Sequence, residues 1–204
     1  MKDTNIEQRY IISEIRALNG EEGNRTVEGY ALMFNSKSEL MRDEKTGILF
    51  REIIVPSAIN EDILTKSDIK CWLNHNENRG ILARNKYGKG SLKLSIDNKG
   101  LKYYFDAPKN ALGDELLENL KRGDVDSSSF AFTIANSGDE LEKQSDGTYL
   151  RTIKQFEKIY DCSPVYDPAY SNTTVNCRSI ENINKIETDK LEEYWKNLEK
   201  QIIE

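Results

Sequence analysis

Histidine is almost absent from this chain: His75 is the only one in 204 residues. Imidazole is the commonest general base near neutral pH. Any such chemistry here runs through His75 or does without histidine. Cysteine is scarce too. Cys71, Cys162 and Cys177 are odd in number and lack framework spacing, which excludes a disulfide-built fold and suits a reducing compartment. There is no basic excess. Lys and Arg number 29 against 35 Asp and Glu, a net charge of −6. That is the wrong sign for a nucleic-acid-binding face, so no nucleic-acid partner is expected. No run approaches the ~20 apolar residues of a transmembrane helix, and none is expected to meet a membrane. The start, Met1-Lys2-Asp3-Thr4-Asn5, is not followed by the apolar run of a signal peptide, so no secretory leader is expected. Cys71-x-x-x-His75 offers two metal ligands where structural zinc uses four; no metal or other cofactor is expected.

What is present is one core's worth of apolar residues, 37% of the chain, beside 31% charged residues. The length is long for one domain and short for two. From Gln8 to Pro56, Tyr10-Ile11-Ile12 with Ile15-Arg16-Ala17 reads as a first strand. Thr26 to Phe34 alternates as a second, and Ile48 to Val55 is a third, across a polar loop from Asn35 to Lys45. Ser57 to Leu64 reads as a short helix. From Ile69 to Ala107, Ile69 to Leu73 is a strand ending at His75, a polar turn covers Asn76 to Gly80, and strands follow at Ile81–Arg84 and Leu92–Ile96. Asp97-Asn98-Lys99-Gly100 is a turn signal, and Leu101 to Phe105 closes a hairpin. From Asn110 to Val175, Leu112 to Arg122 is an amphipathic helix with Gly123 as its C-cap. The Ser129 segment follows as a strand, Ser137 to Gly147 as a polar hairpin tip, and Tyr149–Ile153 and Phe156–Tyr160 as further strands. Glu181 to Glu204 is Lys/Glu-rich, with apolar residues mostly at helical spacing. The pattern predicts a strand-rich α+β domain over residues 1–178, a closed or nearly closed mixed β-barrel flanked by helices. Residues 179–204 are expected to form an appended, charged, amphipathic C-terminal helix.

Two further residues stand in suggestive context. Ser129 lies in Gly123-Asp124-Val125-Asp126-Ser127-Ser128-Ser129-Phe130-Ala131-Phe132, and Asp161 in Ile159-Tyr160-Asp161-Cys162-Ser163-Pro164-Val165. A serine hydroxyl is a weak nucleophile and needs a base within hydrogen-bond reach. A carboxylate on the base's other ring nitrogen fixes its tautomer and stabilises the imidazolium. His75, Ser129 and Asp161 are therefore candidates for catalysis. Alternatives remain. On a strand, Ser127 and Ser129 share a face while Ser128 points away. Glu157 is a carboxylate four residues before Asp161, and Asp167 lies nearby at a turn set by Pro168. Cys71 and Cys162 could serve as nucleophiles, but such residues are more often core fillers.

The order of these motifs resembles the prohead (capsid maturation) serine proteases of tailed bacteriophages. Strand-Asn74-His75-Asn76 comes first. A helix follows, then Gly-Asp-Val-x-x-x-Ser-Phe-Ala-Phe, then Asp-x-Ser-Pro-Val-x-x-Pro-Ala-Tyr. Upstream, Glu28 to Asn35, Phe50 to Ile59 and Asp97 to Leu101 carry the same resemblance, which spans roughly Val27 to Arg178. By that resemblance His75 is the base. Ser129, just before Phe-Ala-Phe, is the nucleophile, and Asp161, before x-Ser-x-Val, is the orienting acid. The resemblance also implies the fold shared with herpesvirus assembly proteases. Those relatives use a second histidine as third member, which a chain with one histidine cannot do. The implied function is a serine endopeptidase inside the phage procapsid, in the bacterial host cytoplasm. It would cleave the scaffold region of the major capsid protein and also itself, and act as a homo-oligomer. The C-terminal helix would be a processed or scaffold-interacting segment. Two other readings compete: a non-catalytic assembly or scaffold-binding module with the same fold, and a hydrolase of small esters or amides.

Overall fold

The computed structural model describes residues 6–12, 15–18, 24–166, 174–175, 180, 185, 188–193 and 196. In chain order, β1 (Glu7–Ile12), β2 (Arg16–Ala17), β3 (Thr26–Met33), β4 (Met41–Asp43) and β5 (Leu49–Ile54) lead to a 3₁₀ turn at Pro56–Ala58 and helix α1 (Glu61–Lys66). β6 (Asp68–Cys71) follows, then a 3₁₀ turn at Glu77–Arg79. β7 (Ala83–Lys86), β8 (Lys89–Gly90), β9 (Lys93–Ile96) and β10 (Gly100–Asp106) come next. Helix α2 (Ala111–Arg122) precedes β11 (Ser127–Ile134), β12 (Asp139–Lys143), β13 (Tyr149–Ile153), β14 (Phe156–Val165) and β15 (Thr174–Val175).

The strand-rich α+β class is observed; the barrel is not. The strands divide into three sheets, ordered β1-β11-β14-β6-β7-β8, β2-β3-β10-β9 and β12-β13-β5-β4-β15. A barrel needs its end strands to pair, and among the described residues β1 and β8 do not. The sheets instead stack on a shared core. Val27 and Phe105 of the second sheet, Phe130, Phe132 and Ile159 of the first and Ile153 of the third lie in one buried cluster. The Tyr103 hydroxyl reaches across to Ser128 Oγ at 2.8 Å, tying the second sheet to the first.

Local chemistry explains most element boundaries. The helix expected over 57–64 splits, because Asn60 caps α1 by accepting from the Ile63 N–H at 3.1 Å. α2 is capped at both ends. The Asn110 side chain accepts from the Gly113 N–H at 3.0 Å, and Gly123 takes the left-handed conformation at φ 80°. The first strand read from the sequence is two strands, β1 and β2, in different sheets. β4 and β12 fall in segments read as polar loop and hairpin tip. Two of the three β4 residues are charged and β12 reads Asp-Glu-Leu-Glu-Lys, so neither carries an apolar run. β14 runs five residues past the expected end at Tyr160. Pro164 signals a strand end because it cannot donate to a ladder. Here it pairs opposite Ser128, and its carbonyl accepts from the Asn74 N–H at 2.9 Å.

The terminal segment is only partly described. Residues 180, 185, 188–193 and 196 are helical, Lys196 pairs with Glu192 one turn earlier, and Ile180 is buried against Met41, Phe50 and Tyr149. The expected boundary at 178 and most of the expected helix lie outside the described residues, as do Cys177 and Asp167.

A buried ion network joins the first and third sheets. Arg9 of β1 pairs with Glu52 of β5 and with Glu7. Arg151 of β13, only 1% exposed, reaches Glu7 at 2.5 Å, Glu52 at 2.7 Å and Asp139 at 2.6 Å. Burial pushes the Glu52 carboxyl up, but the Arg9 and Arg151 guanidiniums together outweigh it and hold it at about 2. A carboxyl depressed in the folded state contributes stability that is present above its unfolded pKa, ~4.3 for glutamate. That stability is lost as pH falls through the folded value. Unfolding midpoints in urea are therefore expected to be flat from neutral pH to about 5. Below that they should fall steadily toward pH 2, with a Glu52 share on the order of 3 kcal/mol. A midpoint unchanged between pH 5 and 2.5 would contradict this.

Candidate active site

The site is built on the two most buried strands. In the antiparallel pairing, Ser129 of β11 stands opposite Ser163 of β14 on one side and Tyr10 of β1 on the other, while Ala131 stands opposite Asp161. Opposed residues share a face and alternate residues return to it. Ser129, Ser163, Asp161 and Tyr10 therefore face the same way. Ser128 faces the other way, into the core against Tyr103.

His75 is delivered over that face by the turn after β6. Asn74 and His75 both adopt left-handed backbone, φ 52° and 54°. Two such residues in succession, neither of them glycine, cost of order 1–3 kcal/mol each and need outside anchors. The anchors come from β14. The Trp72 N–H donates to Ser163 Oγ at 2.9 Å, and the Asn74 N–H donates to the Pro164 carbonyl at 2.9 Å. The Tyr10 ring meets the His75 ring edge-on, with centroids 5.8 Å apart.

Imidazole and carboxylate meet directly. His75 Nδ1 pairs with Asp161 Oδ2, and Ser163 Oγ donates to Asp161 Oδ1. Both carboxylate oxygens are thus engaged in a site where Asp161 is 3% exposed. Burial pushes the Asp161 carboxyl above the usual range, opposed by His75 first, then by Ser163 and Lys70. With Nδ1 committed to Asp161, His75 Nε2 is left buried with no hydrogen-bond partner. A buried ring nitrogen without a partner is uncommon, and this is the atom a general base would use.

The three candidate serines differ in their present partners. Ser127 Oγ donates to Asp126 at 2.6 Å, Ser128 Oγ pairs with Tyr103, and Ser129 Oγ donates to the Arg9 carbonyl at 2.9 Å. The structure thus brings His75 and Asp161 into contact and sets Ser129 on their face, but Ser129 is not hydrogen-bonded to His75. Glu157, the alternative acid, is exposed. β-bulges opposite Ala131/Phe132 and Thr133/Ile134 shift the alternation between it and Asp161. Cys71 and Cys162 are free and fully buried, and burial pushes both thiols well up, with the Asp161 charge adding to it. Neither is a thiolate at neutral pH, which removes the basis for a cysteine nucleophile. Ser163 was not among the residues singled out from the sequence, although it stands two positions after Asp161, where strand alternation returns to the same face.

Among the described residues no helix is long and apolar enough to cross a membrane. A comparison with curated proteins finds no match. Among solved structures, the chain is similar to the bacteriophage T4 capsid assembly protease, gp21. Identity is 15% and the TM-score 0.37, over 79% of this chain and 99% of that one. The family model of the caudovirus prohead serine proteases matches residues 12–186, which includes every residue of the His75–Asp161 site except Tyr10 and Arg9. The chain belongs to the caudovirus prohead serine protease family.

Proposed function

We propose that the protein is a serine endopeptidase of phage capsid maturation, with Ser129 as nucleophile, His75 as general base and Asp161 as orienting acid. The observation that carries this reading is the unpartnered Nε2 of His75, with Nδ1 held by Asp161, over the sheet face that includes Ser129. For attack, Ser129 Oγ exchanges the Arg9 carbonyl for His75 Nε2. The Oγ proton passes to Nε2 as Oγ bonds to the scissile carbonyl carbon. The tetrahedral intermediate collapses, the C–N bond breaks, and the leaving amine takes the proton from Nε2. Water then repeats the sequence on the acyl-enzyme and frees Ser129. Asp161 keeps one tautomer throughout and stabilises the imidazolium.

The substrate is the scaffold region of the major capsid protein, cut inside the procapsid in the host cytoplasm, together with the protease itself. The enzyme works as an oligomer concentrated there by assembly. The C-terminal segment is the part of the chain suited to engage scaffold or to be removed. Co-expression with the precursor of the major capsid protein tests this. Mass spectrometry of assembled particles is expected to find truncated capsid protein and truncated protease. Particles that form with both chains intact would favour the non-catalytic assembly module instead.

A further inference from the structure

We propose that Ser163 is a positioning residue of this active site, a fourth member that aims Asp161 at His75 and pins the His75 turn to β14. This rests on the function proposed above. Ser163 is completely buried. Its one hydroxyl is used twice: Oγ accepts from the Trp72 N–H at 2.9 Å and donates to Asp161 Oδ1. The donated bond occupies one carboxylate oxygen and leaves Oδ2 for His75 Nδ1. The accepted bond fixes the chain three residues before His75, at the base of a turn whose two left-handed residues do not hold themselves. Beside the Asn74 bond to the Pro164 carbonyl, it is the second tie between that turn and β14. An alanine at 163 would cut the carboxylate loose at one oxygen and leave the Trp72 N–H without its acceptor.

The role has an electrostatic signature that packing alone would not produce. The Ser163 hydrogen bond draws negative charge from Asp161 and opposes the rise that burial causes. Without it, the Asp161 carboxyl that faces His75 holds its proton to higher pH, because a hydrogen bond to the charged form is lost. The other titratable groups acting on Asp161 or feeling its charge are Lys70 and Cys71 of β6, Tyr10 of β1, Tyr103 of β10 and Cys162 of β14. None of them changes in a Ser163 variant, so a shift in the acid limb of the rate profile reports the lost bond.

The experiment compares full-length wild type, Ser163→Ala and Ser163→Thr in co-assembled procapsids, with the cleavage rate of the capsid precursor followed against pH. Ser163→Ala is expected to slow cleavage roughly 10- to 100-fold, the usual scale of one buried hydrogen bond to a charged group. The acid limb should move to higher pH, and Ser163→Thr, which keeps the hydroxyl, should restore both rate and limb. A slowed Ser163→Ala with an unmoved acid limb and no rescue by threonine would overturn the proposal, as would an unchanged rate. If Ser163→Ala does not accumulate, Ser163→Cys replaces it. Its weak S–H donor is expected to give a smaller shift in the same direction, and no shift would count against the role. Ser129→Ala runs alongside. Cleavage that survives in Ser129→Ala means the assignment of the nucleophile has failed, whatever Ser163 does.

Discussion

Ser129→Ala is expected to lower capsid-precursor cleavage roughly a million-fold, the scale on which removing a protease nucleophile acts, while particles still assemble. The side chain spends its hydrogen bond on one backbone carbonyl, that of Arg9. Losing that bond costs about 1 kcal/mol, small beside the ~5–15 kcal/mol of a folded domain. Lost activity therefore reads as lost chemistry and not as unfolding. The neighbouring serines provide the comparison. Ser128→Ala faces the core, leaves the buried Tyr103 hydroxyl without its 2.8 Å partner, and should cost about 1–3 kcal/mol of stability with little loss of cleavage. Ser127→Ala shares the site's face, so it is the decisive control. If it rather than Ser129→Ala abolishes cleavage, the nucleophile lies two residues earlier.

The largest effect on stability is expected at Arg151. Its guanidinium meets three carboxylates, Glu7, Glu52 and Asp139, from three strands. Arg151→Ala would leave those charges buried with Arg9 alone to hold Glu7 and Glu52. Breaking one side of a buried ion pair costs about 3–5 kcal/mol, because the remaining charges lose their partner without regaining water. Urea unfolding monitored by circular dichroism is the measurement. A loss under about 1 kcal/mol would mean that water reaches the network and that the three strands are held by apolar packing instead. The consequence extends to the site. Arg9 belongs to this network, and its carbonyl takes the Ser129 hydroxyl, so loosening β1 also loosens the strand beside the nucleophile.

Some of this was legible in the residues and some was not, for physical reasons. His75 stood out because the chain offers no other imidazole. β11 and the strand before His75 announced themselves through continuous or alternating apolar residues. Glu157 looked equivalent to Asp161 because simple alternation places residues four apart on one face. The bulges in β14 break that alternation, and nothing local in the sequence marks them. Ser163 was hidden because Pro164 next to it signals the end of a strand. The strand continues, since only the proline carbonyl is needed there. Arg9, Glu52 and Arg151 are far apart in sequence, and each reads as a solvated charge until three strands from two sheets bring them together. The closed barrel failed for a related reason. Strand count and spacing are the same whether a sheet closes on itself or several sheets stack, and the difference lies in long-range pairing.

The most direct test is covalent. Assembled procapsids carrying wild-type protease are treated with a fluorophosphonate probe, and the protease is digested and sequenced by tandem mass spectrometry. The adduct is expected on Ser129, abolished by His75→Ala because the activating base is gone. An adduct on Ser127, Ser128 or a cysteine, or equal labelling with and without His75, would contradict the assignment of Ser129 and His75 as nucleophile and base.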